Sequence, residues 1–111
     1  MREKINGQVS IEMSKLEQVA PLIRIYSHPL RLRIIDFLET VQTPQRVTEI
    51  VGISEGAQQA IVSQQLKILR DSGILEAERK GNCVYYSISH KSDLALLHCI
   101  REYADLSELS V

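Results

Sequence analysis

Residues 62–75 read VSQQLKILRDSGIL, and the period of the hydrophobic pattern changes within this stretch. Three apolar residues recur at helical spacing and form one face of a helix: Val62, Leu66 and Leu69. The helix is predicted to run from about Gln58 to Ser72, because Gly73 follows at a position typical of the residue that ends a helix. Beyond Gly73 the pattern favours an extended chain, so the stretch predicts a helix that leads directly into a strand.

Two short strands are predicted after this helix, at residues 74–79 and 83–89, because both are rich in β-branched and aromatic residues. Residues 80–82, Lys-Gly-Asn, lie between them and are typical of a tight turn. Upstream, apolar residues near 47–51 predict a shorter helix, so residues 47–72 form a helix-turn-helix. A hairpin directly after a helix-turn-helix predicts a winged helix.

Helical patterns also flank this unit. A first helix is predicted over about residues 10–27, and Pro21 inside it implies either a kink or a split into two helices. A second opens at Pro29, and a last one occupies about residues 91–109. The first and last helices are apolar over more than one narrow stripe, which predicts that they dimerise with a second copy of the chain.

Composition limits the domain organisation and the class of protein. With 111 residues the chain has room for one domain, predicted as residues 10–111 after a flexible N-terminus at 1–9. The fold class is mostly α, with about five helices and a small two-stranded wing. No apolar run is long enough to cross a membrane, and the two cysteines fit a reducing compartment, so a cytoplasmic protein without a membrane partner is expected. The net charge of −1 means that any nucleic-acid partner must be bound by a local surface.

Three segments carry a resemblance to a known family. Residues 27–35 read SHPLRLRII, residues 62–75 are quoted above, and residues 79–86 read RKGNCVYY. In this order and spacing they resemble the second helix, the recognition helix and the wing of the ArsR/SmtB family of winged-helix repressors. The resemblance covers about residues 20–90. It implies a homodimeric transcriptional repressor, with the first and last helices as the dimer interface and an effector that releases the DNA.

The usual metal sites of that family do not match this sequence. Its sensors often carry Cys-x-Cys in the third helix, where residues 46–50 here read RVTEI. The ligand positions of its last helix correspond here to His90, Ser92, Tyr103 and Leu106, which leave at most one ligand. Residues 52–60 are also longer than the family's usual turn. The resemblance therefore implies a repressor without the usual metal sites, and no cofactor is predicted.

The recognition helix supplies the predicted DNA contacts. Its polar residues recur every four positions opposite the apolar face, and Gln, Ser and Ala side chains can contact base edges in the major groove. The basic residues are expected to contact phosphate. The predicted DNA-binding residues are Gln59, Ala60, Ser63, Gln64, Gln65, Lys67, Arg70, Arg79, Lys80 and Asn82. An ordinary solvated helix face is the alternative for the helix residues, and simple surface charge for the wing pair.

Several other side chains have two possible roles each. Arg31 and Arg33 either reach phosphate or pair with Asp36 and Glu39. His98 and Glu102 lie one helical turn apart and are candidate metal ligands, or they belong to an ordinary polar face. Cys83 and Cys99 are candidates for a thiol switch, or they are two inert thiols.

The class of function also has alternatives. No catalytic constellation has a supporting motif, so an enzyme is not expected. A winged helix used as a protein-interaction module is the rival to a DNA-binding repressor, and the net charge of −1 permits it. If the chain is a repressor, three hypotheses remain for its effector. The chain is a metal sensor that uses a non-standard site, a thiol sensor, or a regulator with another effector or none.

Overall fold

The computed structural model describes residues 10–90 and 94–109, with side chains as far as residue 105. The elements follow in the order α1 (Met13–Tyr26), α2 (Pro29–Val41), β1 (Gln45–Arg46), α3 (Val47–Gly52), α4 (Gln59–Asp71), β2 (Leu75–Lys80), β3 (Cys83–Ile88) and α5 (Ala95–Leu109). This order confirms the mostly α winged helix-turn-helix with five helices. The predicted N-terminal segment 1–9 and the first residues of the predicted last helix, 91–93, lie outside the described residues.

The sheet has three antiparallel strands in the order β1-β3-β2, not the two that were predicted. The missed strand, β1, pairs Gln45 with Tyr86 and Arg46 with Tyr85. Two polar residues show no alternating pattern, so β1 has no signal of its own in the sequence. It forms because β3 offers an edge with which the chain can pair on its way from α2 to α3.

The hydrophobic core lies between α2, the helix-turn-helix and the base of the wing. Its fully buried side chains come mainly from α2, α3 and α4: Ile34, Ile35, Leu38, Ile50, Val62, Leu66, Leu69 and Leu97. The predicted apolar face of α4 is therefore the face that packs into the core. Burying each such side chain contributes about 1.5–3 kcal/mol to folding, so this packing holds α4 against the core.

Two backbone features connect α4 to its neighbours. Gly73 has φ +82°, and its N–H donates to the carbonyl of Arg70 at 3.0 Å, which ends the helix and turns the chain into β2. At the other end, α3 stops at Gly52, and Glu55 in the connection to α4 has φ +50°. An ion pair between Arg33 of α2 and Glu55 holds this connection.

Helix α1 is continuous across Pro21, so the alternative of two separate helices is wrong. It begins at Met13, three residues after the predicted start at Ser10. Of its residues only Tyr26 is buried, and its apolar side chains lie largely in solvent. Among the described helices, none has both the length and the apolar character needed to cross a membrane.

Candidate nucleic-acid interface

One face of α4 is polar and open to solvent. The exposed residues include six of those predicted to contact DNA: Gln59, Ala60, Ser63, Gln64, Lys67 and Arg70. Successive residues of a helix are rotated by about 100°, which brings these side chains together opposite the buried apolar face. The arrangement presents amides, a hydroxyl and two cations along one exposed helix, the chemistry that major-groove readout uses.

Gln65 does not belong to this exposed face. Its side chain is only 8% exposed, and its Oε1 accepts a hydrogen bond of 2.7 Å from Nε of Arg31 on α2. The sequence held a signal for this, because Gln65 follows Val62 by three residues and precedes Leu69 by four. Both spacings place it on the apolar side of the helix. The structure thus separates two neighbouring glutamines, with Gln64 outside and Gln65 inside.

The wing follows α4 directly and exposes the other predicted residues. Strands β2 and β3 are paired along their whole length, from Leu75 with Ile88 to Lys80 with Cys83. Gly81 adopts φ +64° in the tight turn that joins them. Arg79, Lys80 and Asn82 are all exposed at this tip, and Nζ of Lys80 lies 5.8 Å from the centre of the Tyr85 ring. The wing therefore presents two cations and an amide beside α4.

Carboxylates that are not among the predicted site residues accompany these cations. Asp71 lies 3.0 Å from Nζ of Lys67 and 3.8 Å from Arg70, and Glu78 lies 4.0 Å from Nζ of Lys80. All these side chains are about half exposed or more, and pairs of this kind contribute about 0.2–1 kcal/mol. The pairing is weak enough for a phosphate group to replace the carboxylate.

The two arginines of α2 have structural partners, although not the ones considered. Arg31 donates to Gln65, and Arg33 pairs with Glu55. Asp36 and Glu39 instead pair with Arg101 of α5. Hydrogen bonds that Arg101 donates to these two carboxylates raise its pKa above the ordinary value, so the guanidinium remains charged and ties α5 to α2.

The segment that contains most of these features matches a family model. Residues 28–77 match the model described as bacterial regulatory protein, arsR family. An uncharacterized HTH-type transcriptional regulator of Mycobacterium tuberculosis, Rv0081, is 34% identical over 83 residues, which span 75% of this chain and 71% of the relative. The chain is a member of the ArsR family.

Solved structures of ArsR-type regulators share the whole fold. The homodimeric winged helix-turn-helix DNA-binding domain of Mb0332 from Mycobacterium bovis, a possible ArsR-family regulator, superimposes with a TM-score of 0.67 at 29% identity, covering 91% of each chain. The transcriptional repressor BigR from Xylella fastidiosa gives 0.69 at 29% identity, covering 86% of this chain and 92% of its own. The family consists of DNA-binding transcriptional regulators, which confirms that the chain is not an enzyme.

The candidate effector sites of this ArsR-family chain are only partly assembled. His98 and Glu102 are exposed on α5, and no group of three potential ligands forms among the described residues, whereas Zn²⁺ takes four ligands. Cys83 is half-buried on β3 and Cys99 is exposed on α5, and both are free thiols. A hydrogen bond to Cys83 and the charge of Glu49 raise the pKa of Arg46. Neither pair of candidates forms a complete site within the described part of one chain.

Proposed function

We propose that this ArsR-family chain acts as a homodimeric, sequence-specific DNA-binding repressor that an effector releases from its operator. The observation that carries the proposal is the exposed polar face of α4 beside the cationic wing, in a chain whose net charge is only −1. A local surface of this composition accounts for duplex binding without an overall basic field.

Helix α1 supports the dimer in this proposal. It exposes a row of large apolar side chains, and Leu16, Val19 and Ile23 are 41%, 44% and 51% exposed. A contiguous apolar row on a soluble domain typically marks a protein interface. On α5, Tyr103 is 70% exposed. The Mb0332 relative is homodimeric, and a dimer would set two recognition helices about one turn of DNA apart.

The roles of the exposed residues follow from their positions. Gln59, Ser63 and Gln64 lie in the first half of α4, the part of a recognition helix that reaches base edges. Lys80 and Asn82 at the wing tip would contact the flanking backbone. Phosphate contacts position a protein on DNA and base contacts specify the sequence, so α4 would carry the sequence preference.

The test of this function is duplex binding by the reduced, metal-free protein. A duplex selected from a random pool and a scrambled duplex of the same length are compared by fluorescence anisotropy across a salt series. We expect a salt-dependent affinity with a clear preference for the selected duplex. Failure to bind either duplex would contradict the proposal and favour the protein-interaction module.

The same assay tests for effectors. Addition of Zn²⁺, or oxidation of the thiols, is expected to reduce affinity tenfold or more if His98 and Glu102, or Cys83 and Cys99, form the effector site. Such a loss equals a coupling free energy of about 1.4 kcal/mol. Affinity that is indifferent to both treatments would contradict these two sites and leave another ligand as the effector.

Replacing Gln64 by alanine is expected to relax sequence preference. The bidentate contact of its amide with an adenine would be lost, which weakens binding to the selected duplex by about 1–3 kcal/mol and leaves the scrambled duplex nearly unaffected. Anisotropy on both duplexes measures the difference. Gln18→Ala, an exposed glutamine of α1, is the control and should change neither. An equal loss on both duplexes would show that Gln64 does not read bases.

Replacing Lys80 by alanine is expected to weaken binding to every duplex alike. Each phosphate contact contributes about 0.9 to the slope of log affinity against log salt. Because a dimer has two wings, the substitution should reduce the magnitude of this slope by about 1.8. The salt series described above measures this slope. Lys80→Arg keeps the charge and should keep the slope. An unchanged slope in Lys80→Ala would remove the wing from the DNA footprint.

A further inference from the structure

Helix α4 carries one polar side chain on its buried side. Gln65 lies among Val62, Leu66 and Leu69, each of which is completely buried, and it is the only residue of α4 that is both polar and buried. Its partner is the guanidinium of Arg31, which is half-buried in the first turn of α2. A second nitrogen of Arg31 reaches the carbonyl of Ile25, near the end of α1, at 3.5 Å.

A hydrogen bond and an apolar contact restrain a helix differently. Hydrophobic packing is non-directional, so the apolar side chains hold α4 against the core without defining its rotation sharply. A hydrogen bond loses strength when its length or angle changes, and a charged donor makes it about twice as strong as a neutral one. The 2.7 Å contact from Arg31 to Gln65 therefore restrains the rotation of α4 about its axis.

Small rotations matter on the other side of this helix. The side chains reach about 5 Å from the helix axis, so a rotation of about 10° moves their tips by about 1 Å. Hydrogen bonds to base edges form only when the donor–acceptor distance lies within a range of about 0.5 Å. Contacts with phosphate rely on longer-range attraction and tolerate such a shift. Rotation of α4 should thus impair base readout far more than general attraction to DNA.

We propose that Arg31 and Gln65 are positioning residues that set the rotation of the recognition helix and thereby its sequence discrimination. This inference rests on the proposed function, because discrimination requires DNA binding. The neighbouring glutamines then have separate tasks: Gln64 contacts bases, and Gln65 orients the helix that carries it. Neither Arg31 nor Gln65 touches the DNA in this arrangement.

Gln65→Leu tests the inference, because leucine fills the buried site without accepting the hydrogen bond, while the half-buried Arg31 can turn to water. We expect at least a tenfold loss of affinity for the selected duplex and less than a twofold change for the scrambled one. Gln65→Glu keeps an acceptor for Arg31. Its added charge should weaken binding to both duplexes equally. The ratio of the affinity for the selected duplex to that for the scrambled duplex should therefore stay within threefold of the ratio for the unmodified protein.

Two further variants separate positioning from general support of the fold. Arg31→Met should lower the ratio of the two affinities as Gln65→Leu does, while its lost positive charge weakens binding to both duplexes equally. The ratio in the double variant should be no lower than in either single variant, because both changes remove the same contact. Urea unfolding of each variant reports its stability. Retained discrimination in Gln65→Leu, or parallel losses on both duplexes together with a loss of stability, would overturn the inference. If Gln65→Leu fails to fold, Arg31→Met and Gln65→Glu are compared instead. The inference expects a lower ratio of affinities in Arg31→Met and a retained ratio in Gln65→Glu, and equal ratios in the two variants would overturn it.

The outcomes also distinguish this inference from the proposed function. An unmodified protein that binds neither duplex, or binds both equally, would overturn the proposed function and this inference with it. An unmodified protein that discriminates, with variants that discriminate equally well, would overturn the inference alone.

Discussion

Val19→Glu is expected to convert the dimer to monomers and to lower affinity for the selected duplex by about 100-fold or more. Val19 lies in the exposed apolar row of α1, between Leu16 and Ile23. In a two-fold interface the substitution places two carboxylates in apolar surroundings, and each costs several kcal/mol unless it is paired. Since about 1.4 kcal/mol corresponds to a factor of ten, the dimer would dissociate at micromolar concentration.

Sedimentation velocity measures the dimer and anisotropy measures DNA binding. Gln18→Glu is a matched control, because it introduces the same side chain at the preceding position of the same helix, which already carries a polar residue. It should remain a dimer with unchanged affinity for the selected duplex. If Val19→Glu is still dimeric, the interface does not include α1, and the exposed apolar row must serve another contact.

Leu66→Ala is expected to reduce the free energy of unfolding by about 2–5 kcal/mol. Leu66 is completely buried where α4 packs into the core, so the substitution removes its apolar contacts and leaves a cavity. A domain of this size has a total stability of about 5–15 kcal/mol, so the loss is a large fraction of it. DNA binding should weaken as well, because α4 would no longer be held firmly.

Urea unfolding followed by circular dichroism measures this loss, at one fixed protein concentration because dimerisation contributes to stability. Lys67→Ala is the control: the next residue along α4 is exposed and makes only a surface ion pair with Asp71. It should change the free energy of unfolding by less than about 0.5 kcal/mol. A similarly small change in Leu66→Ala would mean that α4 does not depend on this packing.

Much of the fold could be predicted because its signals are local. The apolar spacing of α4, the position of Gly73 and the tight turn of the wing each depend on a few consecutive residues, and all three predictions are confirmed. Strand β1 could not be predicted in this way. Its two residues are defined by pairing with β3, about forty positions further along the chain.

In the candidate site, too, some features could be predicted from nearby residues and others depend on distant ones. Periodicity brought the exposed residues of α4 together, and the hairpin placed Arg79 and Lys80 beside them. The inward position of Gln65 follows from its spacing to Val62 and Leu69, but its partner Arg31 lies 34 positions earlier in the chain and could not be predicted from spacing. The pairing of Arg101 with Asp36 joins residues 65 positions apart, which spacing along one helix cannot reveal.

The sequence alone thus determined the order and type of the main elements, the face of α4 that is buried and the resemblance to the ArsR family. These properties follow from residue spacing and backbone preferences, which act over a few positions. Only the tertiary structure decided which partner the buried Gln65 has, which partners the arginines of α2 and α5 take, and where the third strand forms. Such contacts depend on the relative placement of distant segments, because a polar group pairs with whichever partner the packing of the core brings within reach.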